Sequence, residues 1–156
     1  MKALILLLLS ISLFADYSRT REYMMDVSTS FNKNSISSRI NFSIFKSEEN
    51  GIILGSGLKI NTYQEDIVKE VESNKGYRPS EFTIGWDVIN ISIFTHHGLY
   101  ARLTPLNFMA NDIDNGFRPS GELGFIFGPK NMLISIFVGS EISDYRKFYY
   151  GIGFWF

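Results

Sequence analysis

The only two histidines of the chain stand together, as His96-His97. Imidazole titrates nearest neutrality, so acid–base chemistry would be sought here first. Acyl transfer would need a hydroxyl nucleophile within hydrogen-bond reach of one ring and a third group to orient that ring. Ser80, Ser120 and Ser140 are the candidate hydroxyls, with Asp112 or Asp114 as the acid. Adjacent residues of a strand point to opposite faces, so the two rings diverge, and no acidic residue stands at ligand spacing beside them. The run Asn111-Asp112-Ile113-Asp114-Asn115-Gly116 lacks the length and closing Glu of a calcium loop and reads as a solvated loop. No phosphate-cradling glycine loop or nucleotide fingerprint is present. With no cysteine, disulfides, thiolate metal sites and a cysteine nucleophile are excluded. The residue types imply no metal and no cofactor.

A larger polar group recurs at every second position. Tyr23, Met25, Val27, Thr29 and Phe31 alternate with Glu22, Met24, Asp26, Ser28 and Ser30, which marks a strand with one apolar and one polar face. After the turn residues Asn32-Lys33-Asn34-Ser35, a second strand sets Ile36, Ser38, Ile40, Phe42 and Ile44 against Ser37, Arg39, Asn41 and Ser43. A third sets Ile52, Leu54, Ser56, Leu58 and Ile60 against Ile53, Gly55, Gly57, Lys59 and Asn61. Residues 64–80 read as a long charged loop, although Ile67, Val68 and Val71 could make a helical turn or two.

From Phe82 the alternation runs to Val88 and then jumps phase, so that Ile91, Ile93 and Thr95 continue it. A tight turn near Ile89-Asn90 between a fourth and a fifth strand accounts for the jump. The rival is a single bulged strand to about Thr95, followed by another from Leu99 to Leu103. Residues 98–119, with two prolines and an Asn/Asp-rich run, read mostly as a second long loop. Residues 122–127, 134–141 and 147–156 supply the last three strands of eight.

The start of the chain, Met1-Lys2-Ala3 and then a leucine-rich run to Ala15, has the charged n-region and apolar h-region of a secretory signal. It is too short to span a bilayer as a helix, which takes about 20 apolar residues. Residues 1–15 are therefore predicted to be a cleaved signal peptide and 16–156 a single domain. A net charge of −1 gives no footprint for nucleic acid. The 14 Phe, 8 Tyr and 2 Trp, many spaced two apart, suit strands that face lipid on one side.

The chain ends Lys-Phe-Tyr-Tyr-Gly-Ile-Gly-Phe-Trp-Phe. This strand resembles the terminal strand of the bacterial outer-membrane β-barrel proteins, through Tyr149, Gly151, Phe154 and Phe156. The resemblance implies recognition of this strand by the barrel-assembly machinery. It also implies a place in the outer membrane among its lipids and lipopolysaccharide. The size is similar to that of the eight-stranded members, which include structural, adhesion-related and lipid-modifying barrels. The lipid A deacylases among them carry His-x-Ser-Asn, where this chain reads His96-His97-Gly98-Leu99.

The fold expected is all-β: an eight-stranded antiparallel up-and-down transmembrane β-barrel. Eight strands enclose a bore just wide enough for side chains to fill. Glu22, Asp26, Asp87, Glu122 and Glu141 are then expected inside against Arg39, Lys59 and Lys147, among Asn41, Asn61, Asn90, Ser92 and His96. Buried charges persist only when paired, so a polar plug of mutual ion pairs is expected. The function expected is non-enzymatic, with loops 64–80 and 98–119 facing outward for structural or interaction roles, an extracellular partner among them. The alternative is an outer-leaflet lipid A deacylase or acyltransferase using His96, pointing inward, or His97, near the outer rim. A pore is the third possibility, and a narrow bore opposes it.

Overall fold

The computed structural model describes residues 25–47, 51–95, 98–110, 112–113, 116–129 and 132–156. The expected signal peptide, Glu22, His96, His97 and Asp114 lie outside these residues. The elements are β1 (Met25–Phe31), β2 (Ser35–Ser47), β3 (Ile52–Tyr63), α1 (Glu65–Lys75), β4 (Phe82–Phe94), β5 (Leu99–Met109), β6 (Gly116–Phe117), β7 (Ser120–Phe127), β8 (Leu133–Glu141) and β9 (Phe148–Trp155).

Every strand pairing is antiparallel, and the sheet closes on itself. The order around the wall is β1-β2-β3-β4-β5-β7-β8-β9 and back to β1, an eight-stranded up-and-down barrel. The two-residue β6 adds only to the end of β5. The last seam joins β9 to β1 with Val27 opposite Phe154 and Phe31 opposite Tyr150. Closure gives each of the eight wall strands a partner on both sides, which removes the main hazard of edge-to-edge association.

Three segments differ from the sequence expectation. No turn occurs at Ile89-Asn90; β4 runs on to Phe94 as one bulged strand, with register shifts around Ile89 against β5 and between Gly55 and Gly57 against β3. A bulge adds one residue to one strand and so inverts the parity after it, which is the phase jump seen in the sequence. The hairpin closes after Thr95 instead, where Thr95 N–H donates to Leu99 O at 2.8 Å.

Residues 98–119 are mostly strand, not loop. Pro105 disguises β5, because proline lacks the ladder N–H and is confined to edges and bulges. Here Pro105 and Leu106 are both exposed, at a bulge, and pairing with β7 stops at Thr104.

The 64–80 segment is likewise a helix for most of its length. Glu65 and Asp66 occupy the positive end of α1, and Gly76 closes it in the left-handed region (φ 74°), its N–H donating to Glu72 O. The exposed Glu65 pairs with Lys69 at 2.7 Å, and that hydrogen bond and charge hold the Glu65 carboxyl below its ordinary range. Val68 and Val71 are fully buried, packed with Tyr63, Ile113, Ile67 and Tyr145 over one mouth of the barrel. Tyr77 hydroxyl donates to Ile113 O at 2.5 Å and ties the helical connection to the β5–β6 loop.

The two ends thus differ. The end where Met25 and Phe156 bond to each other holds the brief connections after β2, β4 and β7. The opposite end holds the β1–β2 turn, α1, the β5–β7 connection and the segment before β9.

Glycine placement sets the wall spacing. A Cβ at Gly124 would lie 2.5 Å from Ile136 O and 2.6 Å from Tyr100 Cε1, whereas one at Gly121 would approach nothing nearer than Leu103 Cδ2 at 3.5 Å. Gly124→Ala is expected to cost about 1–3 kcal/mol, the range for overpacking, while Gly121→Ala leaves stability unchanged. Urea unfolding of the two variants, monitored by tryptophan fluorescence, checks the contrast.

Candidate functional site

Alternation directs one face of every strand into the lumen, and that face carries the charges. Among the described residues, the buried acids Asp26, Asp87, Asp112, Glu122 and Glu141 equal in number the buried bases Arg39, Lys59, Arg102, Arg118 and Arg146. They lie in two tiers.

In the lower tier, Arg102 grips Asp26 with two bonds, 3.2 and 2.8 Å, and donates from Nε to Ser92 Oγ at 3.0 Å. Arg39 Nη2 reaches both oxygens of Glu122, at 2.6 and 2.8 Å. Arg102 Nη1 stands 3.7 Å from the same Glu122, and Arg39 Nη1 stands 3.7 Å from Asp87, a charge contact beyond hydrogen-bond length. Asn41 bridges this tier, donating to Asp26 at 3.3 Å and accepting from Asn90 at 3.1 Å.

In the upper tier Lys59 meets Glu141 at 2.7 Å, and Arg118 reaches Glu141 at 3.2 Å while also pairing with Asp112. Asn61 donates to the Tyr63 hydroxyl at 3.0 Å and accepts from Arg146 at 3.3 Å. Arg146 also bonds Ser30 and lies over the Tyr149 ring. A polar cavity bordered by residues of both tiers measures about 10 Å³, room for roughly one water.

Rings fill the end below the tiers. Trp155 meets Phe94 edge-on at 5.0 Å between centroids, Tyr100 at 5.8 Å, and the Arg102 guanidinium at 4.6 Å over its face. Tyr149 hydroxyl donates to Glu122 at 3.2 Å, joining the aromatic layer to the charges. From one mouth to the other the lumen therefore holds rings, two tiers of ion pairs, and the apolar face of α1.

Of the residues singled out in the sequence, Asp26, Arg39, Lys59, Asp87, Glu122 and Glu141 lie in this interior. Lys147 does not; it is exposed. Strand parity does not extend to it, because β9 begins at Phe148. The preceding turn, held by Ser143 Oγ accepting from the Tyr145 and Arg146 N–H groups, sends Arg146 inward in its place. In the terminal motif, Tyr149 and Gly151 face inward, whereas Phe156 is exposed.

Arg102, Arg118, Arg146 and Asp112 are interior residues that the sequence reading did not assign. Arg102 shares parity with Tyr100 and Thr104, a pattern legible once 99–109 is taken as a strand. Asp112, proposed as a general acid, is instead turned inward onto Arg118.

The candidate hydroxyls stand away from the residues that flank His96-His97. Thr95 and Gly98, which flank His96-His97, lie at the end of the barrel shared with the termini. Ser80 precedes β4 and Ser120 begins β7, both at the opposite end. Ser120 pairs with Thr104, five positions along β5 from Leu99; at about 3.4 Å per residue that is roughly 17 Å from Leu99. Ser140 pairs with Gly121, which pairs with Leu103, only one step nearer. Neither hydroxyl lies within hydrogen-bond reach of Leu99, the first strand residue after His96-His97. Among the described residues, no three His, Asp or Glu side chains converge as a metal site.

Loss of Glu122 leaves buried Arg39 with only the 3.7 Å charge contact to Asp87, while Arg102 keeps its two bonds to Asp26. Glu122→Ala is expected to cost about 3–5 kcal/mol, as for other buried pairs broken on one side. Arg39→Ala combined with Glu122→Ala should cost less than the sum of the single changes. A double-mutant cycle by denaturant unfolding checks both statements. Compared with known proteins, the chain matches no family model, no curated protein and no solved structure.

Proposed function

We propose that this chain is a transmembrane barrel of the bacterial outer membrane, non-enzymatic, with a side-chain plug inside and its larger connections turned outward for structural or interaction roles. The observation that carries the reading is the inversion of polarity between wall and lumen. Ile84, Trp86, Leu58, Leu123 and Val138 are each more than half exposed, while Arg102, Asp87 and Arg146 are at most 1 % exposed. Among the described outward-facing positions of the strands, no Asp, Glu, Lys or Arg occurs.

Water does not select such a surface; contiguous apolar area of this extent marks contact with a membrane or a protein. A bilayer supplies the apolar surroundings for the wall, and closure satisfies the backbone polar groups that lipid cannot. The strand lengths, 7 to 13 residues, bracket the roughly 9–11 needed to cross. Barrels of this kind keep short turns on the periplasmic side and longer connections outside. That rule puts α1 and the β5–β7 connection outward and the end where Met25 meets Phe156 toward the periplasm. Recognition of β9 by the barrel-assembly machinery, through Tyr149, Gly151, Phe154 and Phe156, belongs to the same reading. So do outer-membrane lipids and lipopolysaccharide as the surrounding partners, and removal of residues 1–15 on export.

The enzymatic alternative has less support, since the candidate hydroxyls stand far from Thr95 and Gly98, which flank the histidines. The tiers of ion pairs oppose a pore in the same way, and planar-bilayer recordings should show no steady conductance.

Depth along the wall tests the membrane directly. Leu58→Arg, at the middle of β3, is expected to cost about 2–4 kcal/mol, and Phe82→Arg, at the end of β4, about 0–1 kcal/mol. In a water-soluble barrel both exposed sites would accept arginine within about 0.5 kcal/mol. Folding into phospholipid vesicles, followed by the migration shift on boiling, provides the measurement. Equal, near-zero costs with no insertion would overturn the reading.

A further inference from the structure

Resting on the membrane reading, we propose that the outer wall from β5 across to β1 seats one acyl chain of a lipid with an anionic phosphate headgroup. The chain lies in a groove floored by Ala101, Gly121 and Ser140, and the headgroup lies between Lys33 and Lys147.

The groove follows from side-chain size along the register. One outward row reads Leu103, Gly121, Ser140, Phe148, and the next reads Ala101, Leu123, Val138, Tyr150, Phe31. Small residues interrupt rows that are otherwise bulky. Phe148, Leu123, Tyr150 and Leu103 stand up around them, each more than half exposed. The hollow measures about 810 Å³ and is almost wholly apolar. It adjoins a second apolar furrow of about 570 Å³, sharing Ala101, Leu123 and Val138 with it and running on to Leu99, Phe125 and Ile136 near the termini. Together they make a continuous track along the wall, the shape of an extended hydrocarbon chain.

Packing inside the barrel does not impose this hollow. A Cβ on Gly121 would meet only ordinary contact, so the interior gives no reason for glycine there.

Charge at one end selects the headgroup. Lys33, in the β1–β2 turn, lines the groove at the capped end and is exposed. Asn32 holds that turn against β9 by donating from Nδ2 to Phe148 O. Lys147, also exposed, lines an adjoining depression that shares Ser140 and Phe148 with the groove. Asp144 borders the same depression, with its carboxylate 3.9 Å from Lys75. Two exposed ammonium groups at the polar boundary of an apolar track attract an anionic headgroup and orient the chain beneath it.

The test uses the chain refolded in nonionic detergent and native mass spectrometry with phosphatidylglycerol or phosphatidylcholine of identical acyl chains. The wild type should retain one phosphatidylglycerol about tenfold more tightly than phosphatidylcholine. Gly121→Leu with Ala101→Phe fills the groove and should weaken both lipids by about tenfold. Lys33→Gln with Lys147→Gln should erase the preference while leaving phosphatidylcholine unchanged. These two lysines stand outside the strand ladders, so the charge variant decides the matter even where the filled groove blocks folding.

Equal retention of the two lipids, indifference to both variants, or a second copy of the chain occupying the groove would each overturn the proposal. A chain that inserts into vesicles but shows no lipid preference removes this inference alone. One that fails to insert removes the membrane reading as well.

Discussion

Ion pairs that cross the lumen are the constraint on which the barrel depends. Arg39 on β2 reaches Glu122 on β7, Asp26 on β1 reaches Arg102 on β5, and Lys59 on β3 reaches Glu141 on β8. None of these joins strands that are neighbours in the wall, so no pair forms in an open sheet. Burying any one of these charges alone costs several kcal/mol, and each charge acquires its partner only when β9 meets β1. Closure and neutralisation are therefore one event. The same pairs pin the register, because a slip of one residue would turn a strand's charges outward and its apolar set inward.

Size is the second requirement of a filled lumen. The rings beneath the charges fit because glycine stands opposite them. Gly139 pairs with Tyr149, and Phe137 lies between Gly124 and Gly151 on the neighbouring strands. A side chain at Gly139 would meet the Tyr149 ring at 2.5 Å. Removing Cβ on one strand makes room for an aromatic on the next, as the taper of a small barrel demands. Tyr149 serves both requirements, since its ring packs against glycine and Phe137 while its hydroxyl reaches Glu122.

Much of this was legible in the sequence because a strand with one apolar outer face and one polar inner face writes its geometry at period two. The inward parity of Asp26, Arg39, Lys59, Glu122 and Glu141 could be read from their neighbours alone. Failures occurred where the period was interrupted. The bulge in β4 imitates a turn, and Pro105 makes β5 look like a loop, which hid Arg102. Arg146 and Lys147 exchange places because a turn, not a strand, carries them, and no periodicity governs a turn. Helix α1 escaped because Ile67, Val68 and Val71 make only a short apolar stripe, adequate to cover a barrel mouth and too brief to announce a helix. Arg118 and Asp112 belong to the same class: their mutual pairing depends on how the β5–β7 connection folds over the lumen, a tertiary matter.

A lumen so completely occupied also says where function must reside. The interior groups face one another, and Glu122, Arg39 and Arg102 are committed to a network whose disruption destabilises the barrel. Substrate binding inside would have to displace ion pairs on which closure depends. On the proposed reading, recognition is left to the wall and to the capped end. On the wall, most inward glycines are explained by a ring or a carbonyl pressing on them from a neighbouring strand. Gly121 faces outward, has room for a larger side chain, and lies between Leu103 and Ser140 in a surface otherwise built of large apolar residues. A small residue that packing does not require, set where the outer surface is hollow and near two exposed lysines, points to something seated from outside.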